Sequence, residues 1–223
     1  MLVALSAIAS AQSNPTQETL RKCKMFLDYA ATHPDTIITY RASDMVLAVH
    51  SDAAYLVEPK ARSRAGGHFF MSKDTPFPPN NGAVLNIAKI IKTVMTSAAE
   101  AEMGALYINA REAIPMRITL EEMGHKQPPT PVQTDNTTAL SVITNNIRRK
   151  QSKAWDMRMY WLRDKENQKH FRFYWRPGPT NNGDPYTKHF SGRESTTGVS
   201  NSSNYFKCTT YTIRKATPSF QRS

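Results

Sequence analysis

Cysteine is scarce in this chain: Cys23 and Cys208 are the only two in 223 residues. So far apart, they form neither a metal-ligand spacing nor a disulfide framework, a usage that suits a reducing compartment. Long apolar runs are absent too, so no segment is suited to span a bilayer. The start, Met1 to Ala11, has a short apolar run and a small-x-small ending like a secretory signal, but lacks the basic stretch that precedes one. It reads as the first helix of a chain that begins inside a larger parent. A secreted basic protein cut before Gln12 is the third of three readings. Acids are few: 18 Asp and Glu stand against 29 Lys and Arg, a net charge of +11. That balance favours a polyanionic partner, nucleic acid or an anionic membrane surface. Hydrophobic residues make up 39%, low for a globular chain, so one compact core with polar, weakly ordered ends is expected. No internal repeat is visible.

What is there is an alternation of strand and helix signals. Residues 16–31 read as a helix behind Pro15, with Leu20, Cys23, Leu27 and Ala30 at helical spacing. Ile37 to Tyr40 reads as a short strand. Residues 45–51 form another, with Asp52 at its end, and Gly66 to Met71 its hairpin partner. After a Pro/Asn/Gly turn at 76–82, Ala83 to Ala88 is a further strand. Residues 97–113 are rich in helix formers. Val132 to Asp135 is a short strand, Thr137 to Thr144 a short helix, and 152–165 a longer helix carrying Met157, Trp161 and Leu162 inward. His170 to Trp175 is a strand. Asp184-Pro185 looks like a helix start, with Asp as N-cap and Pro at the first position. Residues 191–223, rich in Ser, Thr and Asn, read as a disordered tail. The order is that of an α/β protein.

Four acids fall at the ends of these elements: Asp52, Glu102, Asp135 and Asp184. Gathered over a mixed sheet, they would repel one another unless cations lay between them. Mg²⁺ sits with carboxylates and substrate phosphate. Two such ions about 3.5–4 Å apart clamp the attacking and leaving oxygens of a phosphodiester displacement. Each acid also has an ordinary reading. Asp184 before Pro185 is a common cap, Asp135-Asn136 is a turn, and Glu100 and Glu102, two apart on one helix, cannot point the same way.

The same stretches resemble the ribonuclease H domain at the end of copia-type LTR retrotransposon polyproteins. The family's Ser-Asp-Ala-Asp-Trp motif has its counterpart in Ser51-Asp52-Ala53-Ala54-Tyr55, and Arg62 to Gly67 matches an Arg-Ser-x-x-Gly piece. Ala98 to Leu106 is similar to the Ser-Ala-Glu-Ala-Glu-Tyr-x-Ala-Leu helix, Thr134 to Ala139 to Cys-Asp-Asn-x-x-Ala, and Lys153 to Arg158 to Lys-His-Ile-Asp-Ile-Arg. Gly183-Asp184-Pro185-Tyr186-Thr187-Lys188 stands for Ala-Asp-x-x-Thr-Lys. Phe26 to Ala30 resembles the segment joining the polymerase thumb to that domain. The likeness is collinear from residue 1 to about 190.

This resemblance implies a ribonuclease H-like mixed five-stranded sheet flanked by helices over residues 44–190, preceded by a thumb or connection remnant at 1–43 and followed by the tail at 191–223. It implies cleavage of the RNA strand of an RNA–DNA hybrid, with Asp52, Glu102, Asp135 and Asp184 as ligands of two Mg²⁺ (or Mn²⁺) ions. Glu102 is preferred to Glu100 because it directly precedes Met103-Gly104-Ala105-Leu106. Ala54 and Ala154 replace an Asp and a His that the family often carries, which bears on substrate contacts. No Asp-Asp pair occurs, so a polymerase's paired aspartates are missing. The other partners implied are the parent polyprotein or reverse transcriptase subunits, with no membrane. The setting implied is a cytoplasmic virus-like particle or the nucleus. The runner-up reading is a catalytically inactive, nucleic-acid-binding remnant.

Residues 148–176 hold ten Lys or Arg against three acids. Phosphate backbones bind such clusters through counterion release. The residues expected to touch nucleic acid are Arg148, Arg149, Lys150, Lys153 and Arg158, with Asn136 beside Asp135. Trp155, Tyr160 and Tyr174 lie among the cations and could pack against sugars or bases. His170 and His189 stand alone and carry no assigned role.

Overall fold

The apolar run at 46–49 opens the central strand of a five-stranded sheet in the computed structural model, which describes residues 1–35, 37–144 and 153–188. Strands β1 (Val46–Glu58), β2 (Arg62–Ser72) and β3 (Ala83–Ile91) form an antiparallel meander. Strands β4 (Thr130–Thr134) and β5 (Phe171–Trp175) extend the other side of β1 in parallel, giving the order β3-β2-β1-β4-β5. Helices α1 (Leu2–Ser10) and α2 (Gln17–Thr32) precede the sheet. Helix α3 (Ala98–Glu122) follows the meander, and α4 (Thr137–Thr144) and α5 (Lys153–Asn167) link β4 to β5. The mixed, helix-flanked five-stranded sheet expected from the resemblance is therefore present.

Strand β1 is covered on both faces, which is why its first seven residues read as a continuous buried run rather than an alternation. Leu47, Val49, Phe69, Leu106, Ala110, Val132, Leu162 and Phe171 form the main core. Among the described residues no helix is long and apolar enough to cross a membrane.

Several elements differ from the sequence reading. Residues 37–40 form no strand; Ile37 and Ile38 are exposed, and the amide of Asn81 takes the pairing role, accepting from Arg41 N at 2.8 Å and donating to Arg41 O at 2.9 Å. Strand β1 runs on past Asp52, which pairs with Gly66 in mid-strand rather than closing the strand. Helix α3 continues through Pro115 to Glu122. The proline is exposed, so the carbonyl it leaves without a donor faces water. The continuation buries Leu120 and Arg117, whose guanidinium donates to the carbonyls of Pro128 and Gln127. In α5 the inward residues are Met159 and Leu162, while Met157 is 77% exposed: it lies two residues out of phase with that face. Trp161 is partly buried, edge-on to Tyr107. The tail at 191–223 lies outside the described residues.

Candidate active site

Asp52 is brought to the sheet centre by β1 and is 4% exposed. Its Oδ2 accepts from the Thr187 hydroxyl at 2.5 Å. Glu102, 5% exposed, descends from the first turns of α3. Its Oε1 accepts from the backbone N–H of Ala53 at 2.9 Å, and the Thr134 hydroxyl reaches Oε2 at 3.5 Å. Asp135 follows β4 directly and is half-buried; the indole of Trp175 donates to its carbonyl at 2.9 Å. Ligand oxygens of these three acids lie within 4.8 Å of one another.

Burial pushes the Asp52 carboxyl up to about 6, the nearby charges of Asp184 and Asp135 push it the same way, and the Thr187 hydroxyl pulls it back. Glu102 is raised well above the usual carboxylate range, first by burial and then by Asp52 and Asp135. Asp135 is raised by burial and by Asp184. Three hard oxygen donors that resist carrying charge side by side are the donor set a divalent cation relieves. The residues present therefore fit a divalent cation.

Glu100 takes a different part. Its carboxylate accepts from the N–H and hydroxyl of Thr96, both at 2.6 Å, beside the Ser97 cap of α3. Asp184 is near enough to influence Asp52 and Asp135 but stands outside the three-acid group, and its carboxylate is paired with Lys188. It does not cap a helix. It is the first residue of a single 3₁₀ turn, Asp184–Tyr186, whose N-cap is Gly183. The reason is that the segment is already tied from both sides: Asn181 donates to Ser51 O at 2.8 Å, Asn182 N–H donates to His50 Nδ1 at 3.1 Å, and Thr187 holds Asp52.

Of the expected nucleic-acid contacts, Arg158 lies beside α3, donating to the Thr93 hydroxyl at 3.2 Å. Asn136 caps α4, its Oδ1 accepting from Ala139 N–H at 2.9 Å. Lys153 opens α5. Arg148, Arg149 and Lys150 lie outside the described residues, as does His189. The sequence reading passed over Thr134, Asn181 and Thr187. Only Thr187 carried a signal, the threonine three residues after the aspartate in the closing motif.

The chain thus carries a mixed five-stranded sheet flanked by helices, with three acids meeting at its centre, the arrangement that the resemblance to ribonuclease H domains implied. The particular likeness is to a retrotransposon: the chain is 25% identical over 161 residues to the retrovirus-related Pol polyprotein from transposon TNT 1-94 of Nicotiana tabacum, a match covering 72% of the chain. The match spans only 12% of that relative's length. No protein-family model matches the chain. Similar solved structures include LC11-RNase H1, isolated from compost by a metagenomic approach (12% identity, TM-score 0.48, covering 64% of this chain and 93% of that one). The N-terminal RNase H domain of a Mycobacterium tuberculosis protein is another (14% identity, TM-score 0.44, 64% and 91%). A third is the prototype foamy virus protease-reverse transcriptase (17% identity, TM-score 0.34, 63% and 18%).

Proposed function

We propose that this chain is the ribonuclease H domain of a copia-type reverse transcriptase polyprotein and hydrolyses the RNA strand of RNA–DNA hybrids. The observation that carries the proposal is the meeting of Asp52, Glu102 and Asp135, from three separate elements, within 4.8 Å. Those residues, with Asp184 at their edge, would hold two Mg²⁺ ions. When bound, the ions supply a water nucleophile at neutral pH and charge stabilisation at the leaving oxygen. The chain's own contribution is placement. Ala53 N–H and Thr134 orient Glu102, Thr187 orients Asp52, and the burial of both acids keeps water from competing. The proposal extends to the organisation, with a connecting segment at 1–43, the nuclease at 44–190 and a tail at 191–223. It also extends to a cytoplasmic particle or nuclear setting.

One observation favours the second reading, a nucleic-acid-binding remnant: Asp184 is occupied by Lys188. The test is incubation of an end-labelled RNA–DNA hybrid with Mg²⁺. The nuclease cuts the RNA strand, and Asp135→Asn loses at least 100-fold of that rate. Salt-sensitive hybrid binding with no cleavage by the unaltered chain establishes the remnant instead.

A further inference from the structure

The fourth acid stands apart from the other three, and the chain itself supplies the cation that faces it. Asp52, Glu102 and Asp135 bring ligand oxygens within 4.8 Å of one another, a spacing that one cation can fill. Asp184 lies beside that group, and its Oδ1 accepts from the ammonium of Lys188. The charge of Lys188 also bears on Asp52 and Asp135, in both cases favouring the ionised carboxylate. On Glu102 the charges that act are those of Asp52 and Asp135. One ammonium thus serves three of the four acids, from the side of Asp184.

Lys188 is mounted as a displaceable cation rather than a structural one. Its neighbour Thr187 is 1% exposed, and the Thr187 hydroxyl sits 2.5 Å from the Asp52 carboxylate and 2.9 Å from the Asp184 carbonyl. The backbone beneath Lys188 is therefore held to the cluster. The Lys188 side chain is 56% exposed, at the end of a long flexible stem. An ion pair so open to water contributes little to stability. A divalent ion brings twice the charge to the same oxygen.

We infer that Lys188 is a tethered stand-in for the second divalent ion: with Asp184 held by its ammonium, the chain takes one ion at Asp52, Glu102 and Asp135, and a second only after Lys188 swings out. The inference rests on the proposed nuclease reading for the need of a second ion, while the contact that carries it does not depend on cleavage. Lys188 is a positioning residue in this scheme, since it sets the order in which the acids are loaded. A purely structural pair makes the opposite prediction, because its loss would loosen the turn that carries Asp184 and weaken both ions.

The experiment measures Mn²⁺ binding to the full chain without nucleic acid, reading the free ion by electron paramagnetic resonance. The variants are Lys188→Gln, Lys188→Arg, Asp184→Asn and the double variant Lys188→Gln/Asp184→Asn. Lys22→Gln on exposed α2 is the control for loss of one charge. The parent should bind one ion, with a second weaker by about tenfold or more. Lys188→Gln should tighten the second by about tenfold and leave the first within about twofold. Lys188→Arg should keep the parent's two affinities. Asp184→Asn should abolish the second site, and the double variant should show no tightening. Equal affinities in the parent and Lys188→Gln overturn the inference. So does a weakening of both ions in Lys188→Gln, or a gain that Lys22→Gln or the double variant reproduces. Cleavage of hybrid that needs Asp135, alongside unaltered ion affinities, sinks the stand-in and leaves the nuclease; a tightened second site in a chain that cuts no hybrid does the reverse. A melting curve of each metal-free variant confirms that the fold is kept.

Discussion

At the scale of single residues, the site works against its own stability. Asp52 titrates at about 6 when folded, against 3.8 as an ordinary side chain. A group whose folded value is raised binds its proton more tightly in the native state, so its contribution favours folding at low pH and is lost as pH rises from about 4 through 6. Without metal, Asp52→Asn is therefore expected to be more stable than the parent at pH 7, by about 2–3 kcal/mol. That gain shrinks toward zero near pH 4. Burial of His50, which holds its imidazole down to about 3, drives stability the opposite way in both proteins and cancels in the comparison. Thermal melts in EDTA at both pH values check this. Added Mg²⁺ should raise the melting temperature of the parent but not of Asp52→Asn. Thr187 offers a second test. Its hydroxyl holds the Asp52 carboxylate in the charged form, so Thr187→Val should move the acid limb of the pH–rate profile upward by about one unit. Thr187→Ser should restore it, which a merely structural loss would not do.

At the scale of elements, the site depends on close approach of backbone to backbone. Gly66 on β2 faces the segment that carries Asp184: a Cβ there would lie 2.5 Å from the carbonyl oxygen of Gly183 and 2.6 Å from Thr187. Gly66→Ala should therefore push that segment outward, lowering stability by about 1–3 kcal/mol and reducing cleavage more than the stability loss accounts for. Denaturant titration paired with the hybrid assay measures both. This arrangement also shows what was legible beforehand. The apolar run at 46–49, the Gly-Gly hairpin partner and the helix from Thr137 announced themselves locally, because burial pattern and element coincide there. The convergence of Asp52, Glu102 and Asp135 was legible only through the order of motifs; no spacing of residues encodes a meeting of three separate elements. The rest was not local at all. Ile37 to Tyr40 has strand-like side chains, but the segment is tied down by side-chain bonds instead of a strand ladder: the Tyr40 hydroxyl donates to Ala83 O, and Asn81 takes both backbone groups of Arg41. Pro115 stops a helix in isolation, yet Arg117 and Leu120 carry α3 past it by packing. Asp184 followed by proline imitates a cap, while Asn181 and Thr187 determine its actual conformation through contacts 130 and 135 residues away in the chain.

At the scale of the whole molecule, the first helix and the sheet are one structure. Arg64 on β2 is fully buried, and it is held by Glu58 with Nε–Oε1 at 2.6 Å, by the carbonyl of Ala88 at 3.2 Å and by the Ser6 hydroxyl at 3.0 Å. Val3 of α1 is likewise buried, at 4% exposure. A buried guanidinium costs several kcal/mol unless its partners remain, so α1 helps to satisfy a charge inside the sheet. Helix α2 behaves otherwise: it has no buried residue, and Leu27 is 64% exposed. The stretch ahead of the sheet therefore divides in its energetics even though it is continuous in sequence. Glu58→Gln should destabilise the chain by about 3 kcal/mol, because it strands the guanidinium without its counter-charge. Val3→Asp should cost about as much by placing an unpaired carboxylate in an apolar seat. Leu27→Glu should leave the unfolding midpoint within about 0.5 kcal/mol of the parent, since nothing there leaves water on folding. Equilibrium denaturation followed by Trp fluorescence and by circular dichroism separates the cases. A single coincident transition that Val3→Asp shifts and Leu27→Glu does not is the signature of α1 folding with the five-stranded sheet. A separate early transition in the Val3→Asp protein would instead mean that α1 melts on its own and that Arg64 is satisfied without it.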